Sequence, residues 1–282
     1  MSFVAGIDIG SRTTKAVILD ESRNIRGTAL TRTRPDFPGV AKEVLAQALA
    51  QAGGDMEDVK YIATTGLGRY NVPFRDLQIT DITCAARGAA FLFPNTKCVL
   101  DVGGQSTRAI RLREKGKVKE FKSNDKCAAG SGGFLERAAH YLEIPVDQLG
   151  PLSMKAQKPQ AISSVCAVLA ESEIINLVSS GQTMEDIIRG IHNSLATRSR
   201  GLLARVGMEP EVTFVGGVAR QSGMVAALKE TLGQAVNVSK DPDLVSALGA
   251  ALLGLQRYQK LRGETASPSR AEPQNGKESQ VK

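Results

Sequence analysis

A segment that occurs twice is the feature that most constrains the fold of this chain. IDIGSRTTKAVIL at 7–19 aligns without a gap on LDVGGQSTRAIRL at 100–112, an offset of 93 positions. An aspartate, a glycine, a threonine, a basic residue and an alanine recur at equivalent positions. Each copy has the pattern of a β-strand, a tight glycine turn and a second strand. The sequence therefore predicts two related halves, each containing such a hairpin.

The turns of these hairpins contain the residue types of phosphate-binding loops. Small residues let backbone N–H groups approach phosphate oxygens, hydroxyls donate further hydrogen bonds, and an aspartate at the strand end holds a hydrated Mg²⁺. A single D-x-G segment is a common turn without any ligand. Two aligned copies favour a clamp that holds a polyphosphate from both sides.

The remainder of the chain alternates predicted strands and helices. Besides the two hairpins, strands are predicted in YIATTGLGR, at about 117–122, in EVTFVGGVARQSG and near Val236. Helices are predicted at about 38–52, 82–92, 133–206 with one interruption, and 243–259. The β-branched run in EVTFVGGVARQSG ends in a glycine pair that opens a helix, which is typical of a nucleotide-facing turn. Small residues in SALGAALLGL predict close packing of the last helix, and the polar segment 262–282 is expected to be disordered.

Charge and composition exclude several function classes. Lys+Arg exceed Asp+Glu by 36 to 29, but the chain has no Trp and only 4% aromatic residues, which disfavours nucleic-acid binding. The basic run 108–122 is expected to be the solvated face of a hairpin, with a docking patch as the alternative. Because the chain has neither a leader pattern nor a long apolar run, we expect a cytoplasmic protein with no membrane contact. P-loop and G-x-G-x-x-G motifs do not occur.

Four cysteines occur without any C-x-x-C spacing, which disfavours a zinc ribbon. Cys84 and Cys98 lie in apolar stretches and are predicted to be core residues. Cys127 and Cys166 each precede a strongly helical stretch. Cys127 is either a small turn residue or a thiolate near a helix N-terminus, and Cys166 is either a buried apolar residue or such a thiolate. The two histidines, at 140 and 192, have no partnered nucleophile motif and are not expected to be catalytic.

Several motifs resemble a known superfamily. GIDIGSRTTKAVIL, DVGGQSTRAI and TFVGGVA resemble the nucleotide-binding segments of the actin, Hsp70 and sugar-kinase superfamily. TGLGR, DITCAARGA, NDKCAAGSGGFLE and ISSVCAVLAESEIINLVSSG are similar to one branch, the activators of 2-hydroxyacyl-CoA dehydratases and the ATPase subunits of benzoyl-CoA reductases. The resemblance runs from about residue 3 to 257.

This resemblance implies an α/β fold of two duplicated actin-like, ribonuclease H-like halves around a nucleotide cleft. The expected units are residues 1–94, residues 95–261 carrying the cluster cysteines, and a disordered tail at 262–282. The last helix is expected to pack back on the first half.

The resemblance also implies an electron carrier. Its members are ATPases whose dimer shares one [4Fe–4S] cluster, with two cysteines from each protomer, and Cys127 and Cys166 match these ligands. Such a cluster takes four thiolates, and two protomers would supply them. ATP hydrolysis would drive a low-potential electron, received from an external ferredoxin-like donor, into a second protein component.

For the nucleotide, the working hypothesis is ATP between the halves, with Mg²⁺ positioned through Asp8 and Asp101. Gln105 is expected to orient the attacking water. Gly216 and Gly217 are expected to line the adenosine side. The residues expected to cradle the phosphates are Gly10, Ser11, Thr13, Thr14, Lys15, Gly103 and Gly104.

One departure from the family pattern guides the choice of subfamily. After GGQ this chain has Ser106, Thr107 and Arg108, where many homodimeric activators have Asp-x-Lys. This favours a D-type ATPase subunit of benzoyl-CoA reductase in anaerobic aromatic degradation, paired with a related ATPase subunit and with substrate-reducing subunits. The alternatives are a homodimeric dehydratase activator, a sugar or acyl kinase without iron, and an actin- or Hsp70-like assembly protein or chaperone.

Overall fold

The first half of the chain contains one five-stranded sheet and two helices. The computed structural model describes residues 2–124, 130–163 and 167–265. The strands are β1 (Phe3–Ile9), β2 (Thr13–Asp20), β3 (Ile25–Arg32), β4 (Val59–Gly66) and β5 (Leu77–Gln78). The helices are α1 (Phe37–Ala52) and α2 (Asp81–Leu92).

The second half contains another five-stranded sheet and more helices. The strands are β6 (Cys98–Val102), β7 (Thr107–Arg113), β8 (Lys117–Asn124), β9 (Val212–Val215) and β10 (Val236–Asn237). The helices are α3 (Gly132–Tyr141), α4 (Leu149–Ser153), α5 (Ala167–Ser179), α6 (Met184–Arg205), α7 (Ser222–Leu232) and α8 (Val245–Thr265).

The two sheets have the same topology. Their strand orders are β3-β2-β1-β4-β5 and β8-β7-β6-β9-β10. In each sheet the repeated segment forms an antiparallel hairpin, and its first strand also pairs in parallel with the fourth. Every residue of β1 and β6 is buried, as expected for a central strand covered on both faces. The two related halves predicted from the repeat are confirmed.

The last helix of each half packs on the sheet of the other half. Helix α8 contacts β1, β2 and β4, while α2 contacts β6, β7, β8 and β9. The two helices also pack against each other. An ideal Cβ on Gly249 of α8 would lie 1.8 Å from the carbonyl oxygen of Cys84 in α2, so only glycine permits this approach. The predicted close packing of SALGAALLGL is confirmed.

A Gly249→Ala substitution is therefore expected to destabilise the protein by about 2–3 kcal/mol, because the added methyl forces backbones apart. The matched control is Gly201→Ala, in the exposed interior of α6, where a Cβ meets nothing within 4 Å. That change should stabilise by about 0.5–1 kcal/mol through helix propensity. Urea denaturation of both variants checks the pair, and equal stability changes would contradict the packing argument.

Buried thiols and one histidine belong to the apolar cores. Cys84 and Cys98 are fully buried, as predicted, and burial raises their thiol pKa values to about 12 and about 11. His192 is fully buried, with Nδ1 2.8 Å from the Ser153 hydroxyl. Burial, and secondly the charge of Arg189, lowers the pKa of His192 to about 3, so the ring is neutral at physiological pH.

The predictions for the two cluster cysteines and for most of the C-terminal tail concern residues that the structure does not describe, and the end of the last helix differs from its predicted position. Cys127, Cys166 and the tail 266–282 lie outside the described residues. The last helix continues to Thr265, past the predicted end at 259, so 262–265 are helical rather than disordered. Within the described ranges, no helix has both the length and the apolar character needed to cross a bilayer.

Candidate functional site

A cleft of about 790 Å³ lies between the two glycine turns and is lined by residues of both halves. Each turn is closed in the same way: Gly10 N donates to Thr13 O at 3.1 Å, and Gly103 N donates to Ser106 O at 2.9 Å. The predicted site residues in the lining are Asp8, Gly10, Ser11, Thr13, Lys15, Asp101, Gly103, Gly104, Gln105, Gly216 and Gly217. The tertiary structure thus brings these separated segments to one place.

Thr14 is the predicted phosphate contact that does not line the cleft. Its side chain is fully buried, and its hydroxyl lies 2.9 Å from that of Thr33. Successive side chains of a strand point to opposite faces, so Thr13 and Lys15 face the cleft while Thr14 points away. Thr14 supports the turn indirectly, because the Thr33 hydroxyl that it contacts donates to Gly10 O at 2.8 Å.

The two repeated aspartates occupy equivalent positions in the cleft. Asp8 pairs across the hairpin with Lys15, whose Nζ lies 3.0 Å from Asp8 Oδ2. Asp101 pairs in the same register with Arg108, whose Nη1 lies 3.5 Å from Asp101 Oδ2. Both carboxylates are largely buried. Each half therefore presents one of the two repeated aspartates to the cleft, next to a basic side chain.

Glycine at the end of the neighbouring parallel strand makes room for each aspartate. Gly66 ends β4 with φ of 85°, and a Cβ there would lie 2.4 Å from Asp8 Oδ1. Gly216 follows β9 with φ of 91°, and a Cβ there would lie 2.7 Å from Asp101 Oδ1. Gly66 was absent from the predicted site, although the TGLG segment after a buried strand is the signal that could have indicated it.

Arg108 connects Asp101 to a third carboxylate. Its Nη2 lies 2.8 Å from Oδ2 of Asp81, the first residue of α2. The Arg108 side chain is only 17% exposed, so the prediction that the run 108–122 is a solvated face is wrong at this residue. The register of β7 turns Arg108 into the cleft, whereas Arg113, Lys117, Lys119 and Lys122 are exposed. Asp81 is the first residue of the DITCAARGA motif, but its contact with Arg108 depends on helix packing and was not predicted.

Burial raises the pKa of Asp101 to about 6. The Arg108 charge opposes this shift, and the charges of Asp81 and Asp8 add to it. The three carboxylates are thus within electrostatic reach of one another and outnumber their two basic neighbours, Lys15 and Arg108. An excess of negative charge at the cleft floor favours a bound cation.

These carboxylates fit a magnesium ion that arrives with a nucleotide. Among the described residues there is no group of three or more His, Cys, Asp or Glu side chains arranged to hold a metal alone. Mg²⁺ does not need one, since it keeps several waters and commonly takes one or two carboxylates together with substrate phosphates. Asp8 and Asp101 match that donor set.

Gly216, Gly217 and the loop before α8 also line the cleft. Gly216 N donates to Pro242 O at 2.9 Å. Arg220 makes a bidentate pair with Asp243, at 3.0 Å from Nε to Oδ2 and 2.7 Å from Nη2 to Oδ1. Arg220 and Asp243 line the cleft but were not predicted, since only packing of the α8 loop brings Asp243 there.

Helix α3 is anchored directly on the second turn. Gly132 N donates to Gly103 O at 2.9 Å, and Gly133 N donates to Gly104 O at 2.7 Å. Helix α3 also contacts α5, through an ion pair between Arg137 and Glu171. These two helices are the ones that follow the cysteine-bearing segments 125–129 and 164–166 in the chain.

Comparison with known proteins gives consistent matches over most of the chain. The sequence profile of the BadF/BadG/BcrA/BcrD ATPase family matches residues 5–254. An activator of lactoyl-CoA dehydratase from Anaerotignum propionicum is 41% identical over 258 residues, covering 92% of this chain and 99% of the relative. The D-type subunit of benzoyl-CoA reductase from Thauera aromatica is 41% identical over 276 residues, covering 93% and 96%.

A solved structure matches equally well. The activator of the 2-hydroxyisocaproyl-CoA dehydratase from Clostridium difficile with bound ADPNP aligns with a TM-score of 0.89 at 38% identity, covering 95% of this chain and 100% of that chain. Together with the two duplicated sheets, this likeness confirms the predicted α/β actin-like ATPase fold.

Proposed function

Because the chain belongs to the BadF/BadG/BcrA/BcrD ATPase family, we propose that it is an ATP-hydrolysing activator that delivers electrons to a 2-hydroxyacyl-CoA dehydratase. The observation that carries this proposal is its whole-length likeness to dehydratase activators, one of them described with bound ADPNP. This likeness favours the homodimeric dehydratase activator over the benzoyl-CoA reductase component.

In this proposal the residues of the cleft bind MgATP and position water. Backbone N–H groups of the two turns and the Ser11 and Thr13 hydroxyls would hold the phosphates. Asp8 and Asp101 would position Mg²⁺ from opposite halves. Gln105, exposed in the cleft, would orient the water that attacks the terminal phosphate, releasing ADP and phosphate.

A shared cluster would supply the electron chemistry. When bound, a [4Fe–4S] cluster provides a low-potential one-electron couple, which an external ferredoxin-like donor would reduce again after each transfer. Cys127 and Cys166 would be this chain's ligands. The contact between α3 and α5 supports their cooperation, because each helix follows one of the two cysteine segments.

Benzoyl-CoA reduction is the second candidate. It is supported by 41% identity to the Thauera aromatica benzoyl-CoA reductase component and by Ser106 in place of an acidic residue. In that case a related ATPase subunit and substrate-reducing subunits would be the partners. A sugar or acyl kinase on the same fold would instead phosphorylate a small molecule and hold no iron.

An activation assay tests the proposal. Anaerobically purified protein, MgATP and a chemical reductant are mixed with the dehydratase component whose activator is the Anaerotignum propionicum relative, and lactoyl-CoA dehydration is followed. We expect activity that depends on ATP and is lost with ADP. A parallel assay uses the substrate-reducing subunits of benzoyl-CoA reductase. Activation only there would favour the second candidate, and activation of neither would contradict both.

A further inference from the structure

Arg12 differs from the other basic side chains of the cleft. Among the residues that the structure describes, the basic side chains in the lining are Arg12, Lys15, Arg108 and Arg220. Lys15 and Arg108 are 11% and 17% exposed and are held by aspartates of the cleft floor. Arg220 pairs with Asp243 in the loop before α8. Arg12 is on the first phosphate turn itself, and its side chain is 51% exposed.

The carboxylate that holds Arg12 belongs to the other half. Arg12 Nη2 lies 2.5 Å from Oε2 of Glu136, a residue of α3 that also lines the cleft. The two turns are in contact at this point, because a Cβ on Gly104 would lie 2.5 Å from Arg12 Cγ. The ion pair therefore joins the first turn to the helix that is anchored on the second turn.

We propose that Arg12 is a polyphosphate-binding residue, and that nucleotide phosphates displace Glu136 from its guanidinium when ATP enters the cleft. This inference rests on the proposed ATPase function. It adds Arg12 to the residues that bind the nucleotide and identifies the Glu136 carboxylate as a competitor of the phosphates. The guanidinium matches phosphate oxygens as well as it matches a carboxylate, in both cases through a bidentate fork.

The energetics favour the exchange. A solvent-exposed arginine–carboxylate pair contributes little, because water screens it and two long side chains must be ordered. A polyphosphate held by the turn amides places several negative charges beside Arg12 and repels Glu136. Binding of ATP thus weakens the tie between the first turn and α3, and by linkage the Glu136 carboxylate weakens ATP binding.

Affinities for MgATP, measured by isothermal titration calorimetry on the full chain, test the inference. Arg12→Gln is expected to weaken MgATP binding about tenfold, the scale of a lost hydrogen bond to a charged group. Glu136→Gln is expected to tighten it about two- to fivefold, since a weak competing pair is removed. In the double variant the gain in affinity from Glu136→Gln should be smaller than in the wild-type background, because the competition for Arg12 is gone and only the direct repulsion between the carboxylate and the phosphates remains.

The chain offers a matched control pair. Arg34 and Glu43 form an ion pair with the same exposed fractions, 51% and 36%, as Arg12 and Glu136, and neither lines the cleft. Arg34→Gln and Glu43→Gln should leave MgATP affinity unchanged. Adenosine is the second control, since it lacks phosphates and should bind wild type and Arg12→Gln equally.

Unchanged or weaker MgATP binding in Glu136→Gln would overturn the inference, as would an equal loss of adenosine and MgATP affinity in Arg12→Gln. Either result would leave the proposed function standing if the wild type binds MgATP and activates its partner. A wild type that binds MgATP with the expected variant pattern but activates no partner would support Arg12 as a phosphate ligand and contradict the activator function. A wild type that does not bind MgATP would contradict both.

Discussion

An Asp101→Asn protein is expected to hydrolyse ATP about 100-fold more slowly than the wild type, or slower still, at saturating MgATP. The carboxylate lies at the cleft floor beside Arg108, opposite the equivalent Asp8. Asparagine keeps the shape of the side chain but loses the charge that would position Mg²⁺. The loss should therefore fall on kcat, which steady-state phosphate release measures.

Folding should survive this substitution. Burial disfavours the ionised side chain and raises the pKa of Asp101 to about 6, so a neutral side chain is tolerated there. Arg108 retains its 2.8 Å pair with Asp81. The matched control is Asp186→Asn, because Asp186 is equally buried, at 8% against 7%, but accepts backbone hydrogen bonds from Gln157 and Lys158 outside the cleft. That variant should lose stability and keep kcat. A normal kcat in Asp101→Asn would remove Asp101 from the catalytic site.

Cys127→Ser and Cys166→Ser proteins are each expected to lose essentially all bound iron and sulfide after anaerobic reconstitution. Each substitution removes two of the four thiolates of a cluster shared by two protomers, and a hydroxyl does not replace them. MgATP binding should remain, because the residues of the two glycine turns that are proposed to hold the nucleotide are unchanged. Iron and sulfide counts per dimer, with calorimetry of MgATP binding, check both expectations.

The other two cysteines provide the control. Cys98→Ala and Cys84→Ala remove thiols that are fully buried in the apolar cores, so their iron content should equal that of the wild type. Retention of a full cluster in either serine variant would contradict the electron-carrier assignment. An iron-free wild type would instead favour the kinase alternative.

Local patterns in the sequence predicted the architecture well. Strand, glycine turn and strand are set by residues within a dozen positions of one another, so the repeat at 7–19 and 100–112 correctly indicated two hairpins and two sheets. The same repeat placed Asp8 and Asp101 at corresponding strand ends. Apolar surroundings likewise identified Cys84 and Cys98 as core residues.

The direction of side chains within the hairpins was harder to predict from the sequence. Thr14 is of a residue type that commonly contacts phosphates, but its side chain points into the protein, because adjacent residues of a strand point to opposite faces. Arg108 was grouped with a basic run, although its register with Asp101 directs it into the cleft. In both cases the position in the strand, rather than the residue type, determines whether the side chain faces the cleft.

The sequence by itself determined the duplicated hairpins, the family and the core positions, because these depend on contacts between near neighbours and on residue types that local backbone geometry requires. Only the tertiary structure decided that Asp81 reaches Arg108 and that Glu136 reaches Arg12 across 124 positions of the chain. Those pairings arise where α2 packs on the opposite sheet and where α3 is anchored on the second turn. No local pattern encodes them, since each requires two independently formed elements to meet.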